Sequence, residues 1–271
     1  MAVQHVRRMR GGAQSHLMRA DDANYYVVKF QNNPQHVRVL ANDFMASRLA
    51  ERVGLPAARA EIIDVGDWLI EHTPELNIQL SGRTIPCMPG LQFASRYVID
   101  PAEGNVFDYL PDPALQQVRN LKQFAGMLLV DKWTCNANGR QAAFWKKSRE
   151  RKYTATFIDQ GYCFNAAEWN FPDAPLRGIY LRNEVYEWVR EWDDFEPWLS
   201  RLEELDPNII GEIASTIPPE WYEGDAEGLE RLISNLLERR KEIRRLITDF
   251  RQCSRNPFPM WTAVTMAVGH A

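Results

Sequence analysis

Two carboxylates and one amide are spaced for chemistry on a phosphate. Asp131 ends the apolar run Leu128-Leu129-Val130, and Asn136 follows it five residues later. Asp159 ends a second apolar run, Thr156-Phe157-Ile158, and is followed at once by Gln160-Gly161. A carboxylate and an amide on one loop, with another carboxylate closing a short strand, can hold Mg²⁺ on a nucleotide triphosphate. In that arrangement Asp131 is the candidate base toward an acceptor hydroxyl. Asn136 and Asp159 are the candidate metal ligands.

Such chemistry needs a cradle for the phosphates and a positive charge. The amino-terminal region offers both. Gly11-Gly12-Ala13-Gln14-Ser15 is a run of small residues; its backbone can approach phosphate oxygens, and its successive N–H groups can form an anion nest. Asp21 to Asn24 is a turn signal, and Tyr25-Tyr26-Val27-Val28-Lys29-Phe30 is a strand run. Lys29 therefore sits on the second strand of a hairpin whose glycine loop precedes it, placed to pair with phosphate oxygens.

Next come the elements that must hold these groups. Val37, Leu40, Ala41, Phe44, Met45, Leu49 and Val53 recur at helical spacing over 34–54, and Gly54 stops the helix. Asp43, on the flank of that stripe, is the carboxylate expected to pair with Lys29; Glu51 is the alternative. Residues 60–65 and 67–72 read as a hairpin about Gly66, and 73–90 as a loop. Leu91 to Ile99 is the expected hinge, where backbone groups would meet the adenine edge. An apolar stripe over 113–130 predicts one helix that runs into Asp131. Gln141 to Trp145 and Tyr153 to Ile158 predict a hairpin with the basic segment 145–153 at its turn, either a solvated loop or a docking surface for an acidic partner. Further helices are expected over 184–192 and 226–252, with fraying from 254 to 271. The fold class expected is α+β: a β-rich lobe with one helix over 1–97, then a mainly helical lobe over 98–271.

Composition narrows the function. The chain has 271 residues, enough for one large domain or two lobes. A net charge of −4 and a pI of about 5.8 disfavour a nucleic-acid partner. No apolar run reaches the ~20 residues of a membrane span, and no secretory signal follows Arg7, Arg8 and Arg10. The four cysteines are widely spaced, without a CxxC pair, so a cytoplasmic protein without zinc or disulfides is expected.

Taken together, these segments resemble the HipA-like kinases, a branch of the protein-kinase-like fold. Gly12-Ala13-Gln14 is similar to that family's phosphate loop, and Val28-Lys29 to its strand lysine. Leu40-Ala41-Asn42-Asp43-Phe44, then Leu49-Ala50 and Val53-Gly54-Leu55, is similar to its helix. Asp159-Gln160-Gly161 is similar to its metal-binding Asp-x-Gly. The resemblance spans about residues 8–200. It implies a bilobal kinase fold, ATP and Mg²⁺ as cofactors, a Ser/Thr hydroxyl on a protein as acceptor, and an antitoxin-like partner. Because the chain begins almost at the phosphate loop, a stand-alone kinase core without the additional amino-terminal domain of full-length HipA toxins is expected.

The catalytic loop fits in two frames. The spacing from Asp131 to Asn136 matches the family's Asp, four residues, Asn. Asn136-Ala137-Asn138-Gly139-Arg140 matches its Asn-x-Asp-x-His frame instead. There Asn138 stands where the base would be, and Ala143 replaces the metal-binding Asn. The first frame is preferred and implies an active phosphotransferase. The second implies weak activity or a nucleotide-binding pseudokinase, because an amide cannot accept the hydroxyl proton. The same elements would also suit a small-molecule kinase, or a helical adaptor that binds a partner through its Trp-rich region.

Overall fold

The computed structural model describes residues 1–261. Its amino-terminal part is an antiparallel sheet in the order β1-β2-β3-β7-β4. The strands are β1 (Ala2–Arg8), β2 (His16–Ala20), β3 (Tyr25–Lys29), β4 (Ala60–Val65) and β7 (Gly90–Arg96). Alternation along β3 divides its side chains between two faces. Tyr26 and Val28 enter one hydrophobic core, whereas Val27 and Lys29 line a cavity on the other side. The turn before β3 forms as expected: Ala23 takes φ 64°, and the Asp22 carboxylate accepts from the Asn24 N–H and the Tyr26 hydroxyl.

Helix α1 (Arg38–Val53) is buried along nearly its whole length, because the sheet covers one side and the carboxy-terminal core the other. Gly54, at φ 87°, ends it in the left-handed conformation that glycine adopts without strain. Two expectations fail just beyond. Residues 67–71 form a short helix, α2 (Asp67–Glu71), rather than a strand. Trp68 stacks on His72 four residues on, with centroids 4.5 Å apart, while Leu69 and Ile70 are buried. That spacing suits a helical turn and not period-two alternation. The expected loop 73–90 contains a hairpin, β5 (Asn77–Leu80) and β6 (Arg83–Pro86), closed by Ser81-Gly82 with both φ angles positive.

The remainder is mainly helical around a second small sheet, β10-β9-β8. Strands β9 (Gln141–Lys147) and β10 (Thr154–Ile158) form the expected hairpin, and β8 (Gly104–Phe107), which the sequence pattern does not reveal, pairs with β9. The single helix expected over 113–130 is broken into α3 (Asp112–Leu115) and α4 (Gln123–Trp133). Between them the backbone pairs with the hairpin instead: Arg119 N–H donates to Tyr153 O, and Asn120 exchanges two bonds with Ala155. Residues Phe124–Trp133 of α4 are all buried. Gly126 leaves room for the Trp198 ring, since a Cβ there would stand 2.4 Å from it.

Helices α5 (Trp198–Glu203), α6 (Pro207–Ser215), α7 (Ala226–Arg239) and α8 (Ile243–Arg251) complete this part. The helix expected over 226–252 is thus two, parted by a 3₁₀ turn at Arg240–Glu242. The one expected over 184–192 is only a 3₁₀ turn at Asn183–Val185 with irregular backbone after it. The expected fraying does not begin at 254, for Phe258 is buried against Tyr186 and Phe250. Residues 262–271 lie outside the described residues.

Candidate active site

Lys29, Asp43 and Asp159 come together from three elements. Lys29 Nζ donates to Asp43 Oδ2 at 2.5 Å and to Asp159 Oδ1 at 2.6 Å. Burial alone would lower the Lys29 pKa, but Asp159 and Asp43 outweigh it and hold it raised. Lys29 in turn is the main reason the Asp159 pKa is lowered. Burial pushes Asp43 upward, and Lys29 opposes it. Asp43 is fixed from behind as well, since its Oδ1 accepts from the Gln160 N–H at 2.6 Å. Gly161 is needed beside it because a Cβ there would lie 2.9 Å from Asp43 Oδ2 and 3.1 Å from Val39 Cβ. Glu51, the alternative partner, pairs with Arg48 and does not reach Lys29.

The glycine loop roofs the same space. Gly11, Gly12, Ala13 and Ser15 line the cavity with Lys29 and Asp159. Gly11 has φ 126°, a conformation that favours glycine. The loop is closed by Met9 N–H donating to Ser15 O at 2.8 Å. Among the described residues, the N–H groups of Gly12 and Ala13 have no backbone acceptor, so both are available to an anion. The Gln14 N–H, expected to belong to the anion nest, donates to Gly11 O at 3.2 Å instead. The Gln14 side chain leaves the cavity and makes two 2.8 Å bonds to the backbone of Gln79, tying the loop to the β5–β6 hairpin.

Asp131 and Asn136 do not line this cavity, a placement that suits the Asn138 frame better than the preferred one. Asp131 is 1% exposed. Arg140 holds both its oxygens, through Nε at 2.9 Å and through Nη2, and Asn136 Nδ2 donates to one of them at 2.8 Å. Arg140 Nη1 also reaches Ile158 O. The Asn136 side chain is consumed internally, its oxygen accepting from the Asn138 N–H. A carboxylate that is buried and held on both oxygens by a buried guanidinium is out of reach of a substrate hydroxyl. The residue of this loop that faces the cavity is Asn138, with Arg140 and Gln141 beside it.

The cavity measures about 710 Å³, within the range of a nucleotide-sized site. Val27, Phe93, Val106, Ala142 and Ile158 give it apolar walls, and Ser95 to Val98 of the expected hinge border it. A glycine loop, a lysine between two carboxylates and an apolar slot meet in one cavity, and the comparisons with known proteins point the same way. The model of the family described as HipA-like kinase matches residues 3–252. The chain belongs to the HipA-like kinase family. It is therefore a kinase by family and has the α+β, protein-kinase-like fold. This HipA-like kinase is similar in structure to the Helicobacter pylori proinflammatory kinase CtkA, with TM-score 0.59 and 14% identity over 92% of this chain and 95% of that one. It is also similar to a Golgi casein kinase solved with Mn/ADP bound, with TM-score 0.53 and 10% identity over 94% and 74%. A third similar structure is the Shewanella oneidensis MR-1 HipA, in complex with HipB and operator DNA, with TM-score 0.54 and 13% identity over 92% and 68%. No curated protein matches the chain in sequence.

The donors present suit a magnesium ion, although not through all the residues first expected. Asp159 keeps 26% of its side chain exposed, and Gln141 Nε2 donates to its Oδ2 at 2.8 Å. Mg²⁺ takes only one or two protein ligands and fills its octahedron with waters and phosphate oxygens, so a carboxylate with an amide beside it is sufficient. No group of three acidic, His or Cys side chains stands ready for a metal among the described residues.

Two structural residues escape the sequence reading. Asn42, next to Asp43 on α1, donates to Gly161 O and Ala166 O and accepts from Trp169 Nε1, so it anchors the segment after Asp159. A polar residue amid Leu40, Ala41, Phe44 and Met45 is the available signal. The other, Arg140, has its partner nine residues away, at a spacing that no local periodicity marks.

Proposed function

We propose that this kinase transfers the γ-phosphoryl group of Mg·ATP to a hydroxyl, with a Ser or Thr of a protein as the acceptor. The observation that carries this reading is the Lys29 ammonium held between Asp43 and Asp159 under the glycine loop. Gly12 and Ala13 would donate their N–H groups to phosphate oxygens. Lys29, aimed by Asp43, would add its charge there. Asp159 would hold Mg²⁺, which neutralises charge on the phosphates when bound. Asn138 can accept a hydrogen bond from the acceptor hydroxyl through its amide oxygen but cannot take the proton, which passes to the transferred phosphoryl group or to water as ADP leaves. Transfer then rests on positioning and charge neutralisation, which supply most of the catalysis in phosphoryl transfer.

A division near residue 97, a cytoplasmic location and a partner protein akin to an antitoxin belong to the same proposal. A core confined to residues between Ala2 and Ala94 supports the first; the unpaired cysteines support the second, and the family likeness the third. Asn138 also favours a second reading, a pseudokinase that binds nucleotide without turnover. A melting curve tests the shared premise, since ligand binding to the native state raises the melting temperature. Mg·ATP should raise it in the wild type and not in Lys29→Met. No shift in the wild type would remove both readings, and binding without phosphate release would select the second.

A further inference from the structure

Ala143 stands where the family resemblance puts a metal-binding amide, and the same strand face carries an amide two residues earlier. Ala142 and Phe144 of β9 belong to the hydrophobic core. Gln141 and Ala143 share the other face of the strand by alternation, and both line the cavity, with Ala142 at its wall between them. Gln141 lies opposite Ile158 in the β9–β10 ladder, which brings it alongside Asp159 at the end of β10. Its Nε2 already donates to Asp159 Oδ2 at 2.8 Å, so the amide is within reach of that carboxylate. The competing amide on the loop, Asn136, is buried and bonded internally at both ends.

We propose that Gln141 supplies the amide oxygen of the cation site, in place of the amide absent at position 143. A glutamine amide has a donor end and an acceptor end. A half-turn of its last side-chain bond exchanges Nε2 for Oε1 beside Asp159, changing it from a donor to the carboxylate into a neutral oxygen ligand for a cation. Its extra methylene, relative to asparagine, compensates for attachment at a different point on the strand. The proposal rests on the phosphotransfer reading above and specifies its metal site.

The test uses MnCl₂ as the metal probe and the non-hydrolysable β,γ-imido analogue of ATP. Electron paramagnetic resonance reads bound Mn²⁺, and nucleotide affinity is measured separately in EDTA. Gln141→Ala should weaken Mn²⁺ binding in the nucleotide complex about tenfold, the scale for losing a contact at a metal site. Its nucleotide affinity in EDTA should stay at the wild-type value. Adding Ala143→Asn to Gln141→Ala should restore Mn²⁺ binding. Gln141→Met repeats the measurement with a side chain of similar length should the alanine variant not fold. Wild-type Mn²⁺ affinity in Gln141→Ala or Gln141→Met would overturn the proposal. So would a loss that Ala143→Asn does not restore, since Gln141 would then only prop Asp159. A wild type that binds no nucleotide at all would instead sink the phosphotransfer reading.

Discussion

Replacing Asp131 by asparagine separates the two catalytic-loop frames most sharply, because one makes the residue a base and the other a buried counter-ion. Asp131 and Arg140 each have only 1% of their side chain exposed. Asp131→Asn leaves the guanidinium with a neutral partner and no water to replace the charge. Removing one member of a buried ion pair costs about 3–5 kcal/mol, against a whole-domain stability of roughly 5–15 kcal/mol. For a chain of this size each kcal/mol shifts the melting temperature by about 2–4 °C. A fall of about 6 °C or more is therefore expected, with a matching fall in the urea midpoint followed by tryptophan fluorescence. Replacing the pair together, Asp131→Leu with Arg140→Met, should recover much of the loss, because no unpaired charge is then left buried. Below its melting temperature, Asp131→Asn should still bind Mg·ATP. Unchanged melting together with abolished turnover would refute this reasoning and return Asp131 to the role of base.

Asn138→Asp should raise turnover by about tenfold to a hundredfold, at or below the low end of a general base's contribution because phosphoryl transfer leans little on one. Initial rates of phosphate release check this, and an unchanged rate would mean that position 138 does not meet the acceptor. Burial first, then His5, lowers His16 from 6.5 to about 4, and the buried ring donates to Asn77 O. The unfolded chain takes up a proton near 6.5 and the folded chain does not, so this contribution is complete above that pH. About 3 kcal/mol of it is lost as the pH falls from 6.5 to 4. His5, also lowered by burial, adds in the same sense. Urea midpoints across that window should fall steeply in the wild type and more gently in His16→Gln; parallel curves would contradict the assignment.

The charged poles of the cleft are legible in the sequence because each sits at a break in an otherwise apolar pattern. Lys29 closes the strand-forming run Tyr25 to Val28, and Asp159 closes Thr156 to Ile158 two residues before Gly161. Asp43 can be found because a helix after such a strand must turn one flank toward it. The catalytic loop is harder, because two amides and one carboxylate fit two registers. The unbroken apolar sequence up to Asp131 suits the delivery of a base, yet it equally marks a carboxylate that never meets solvent. Only the return of Arg140 decides between these, and that is a tertiary contact. Short elements fail for the same reason. The edge of β10 offers hydrogen bonds to residues 119–120 that a continuous helix would forgo, and a single turn at 67–71 is fixed by what packs on Leu69 and Ile70.

The most direct measurement is release or self-transfer of ³²P from [γ-³²P]ATP by the purified protein, with Mg²⁺ and with EDTA, for the wild type and Asp159→Asn. Label should move only in the wild type with Mg²⁺, while circular dichroism shows both proteins folded. Equal transfer by Asp159→Asn, or transfer undiminished by EDTA, would contradict a cleft in which Asp159 and Lys29 jointly manage the phosphate charge.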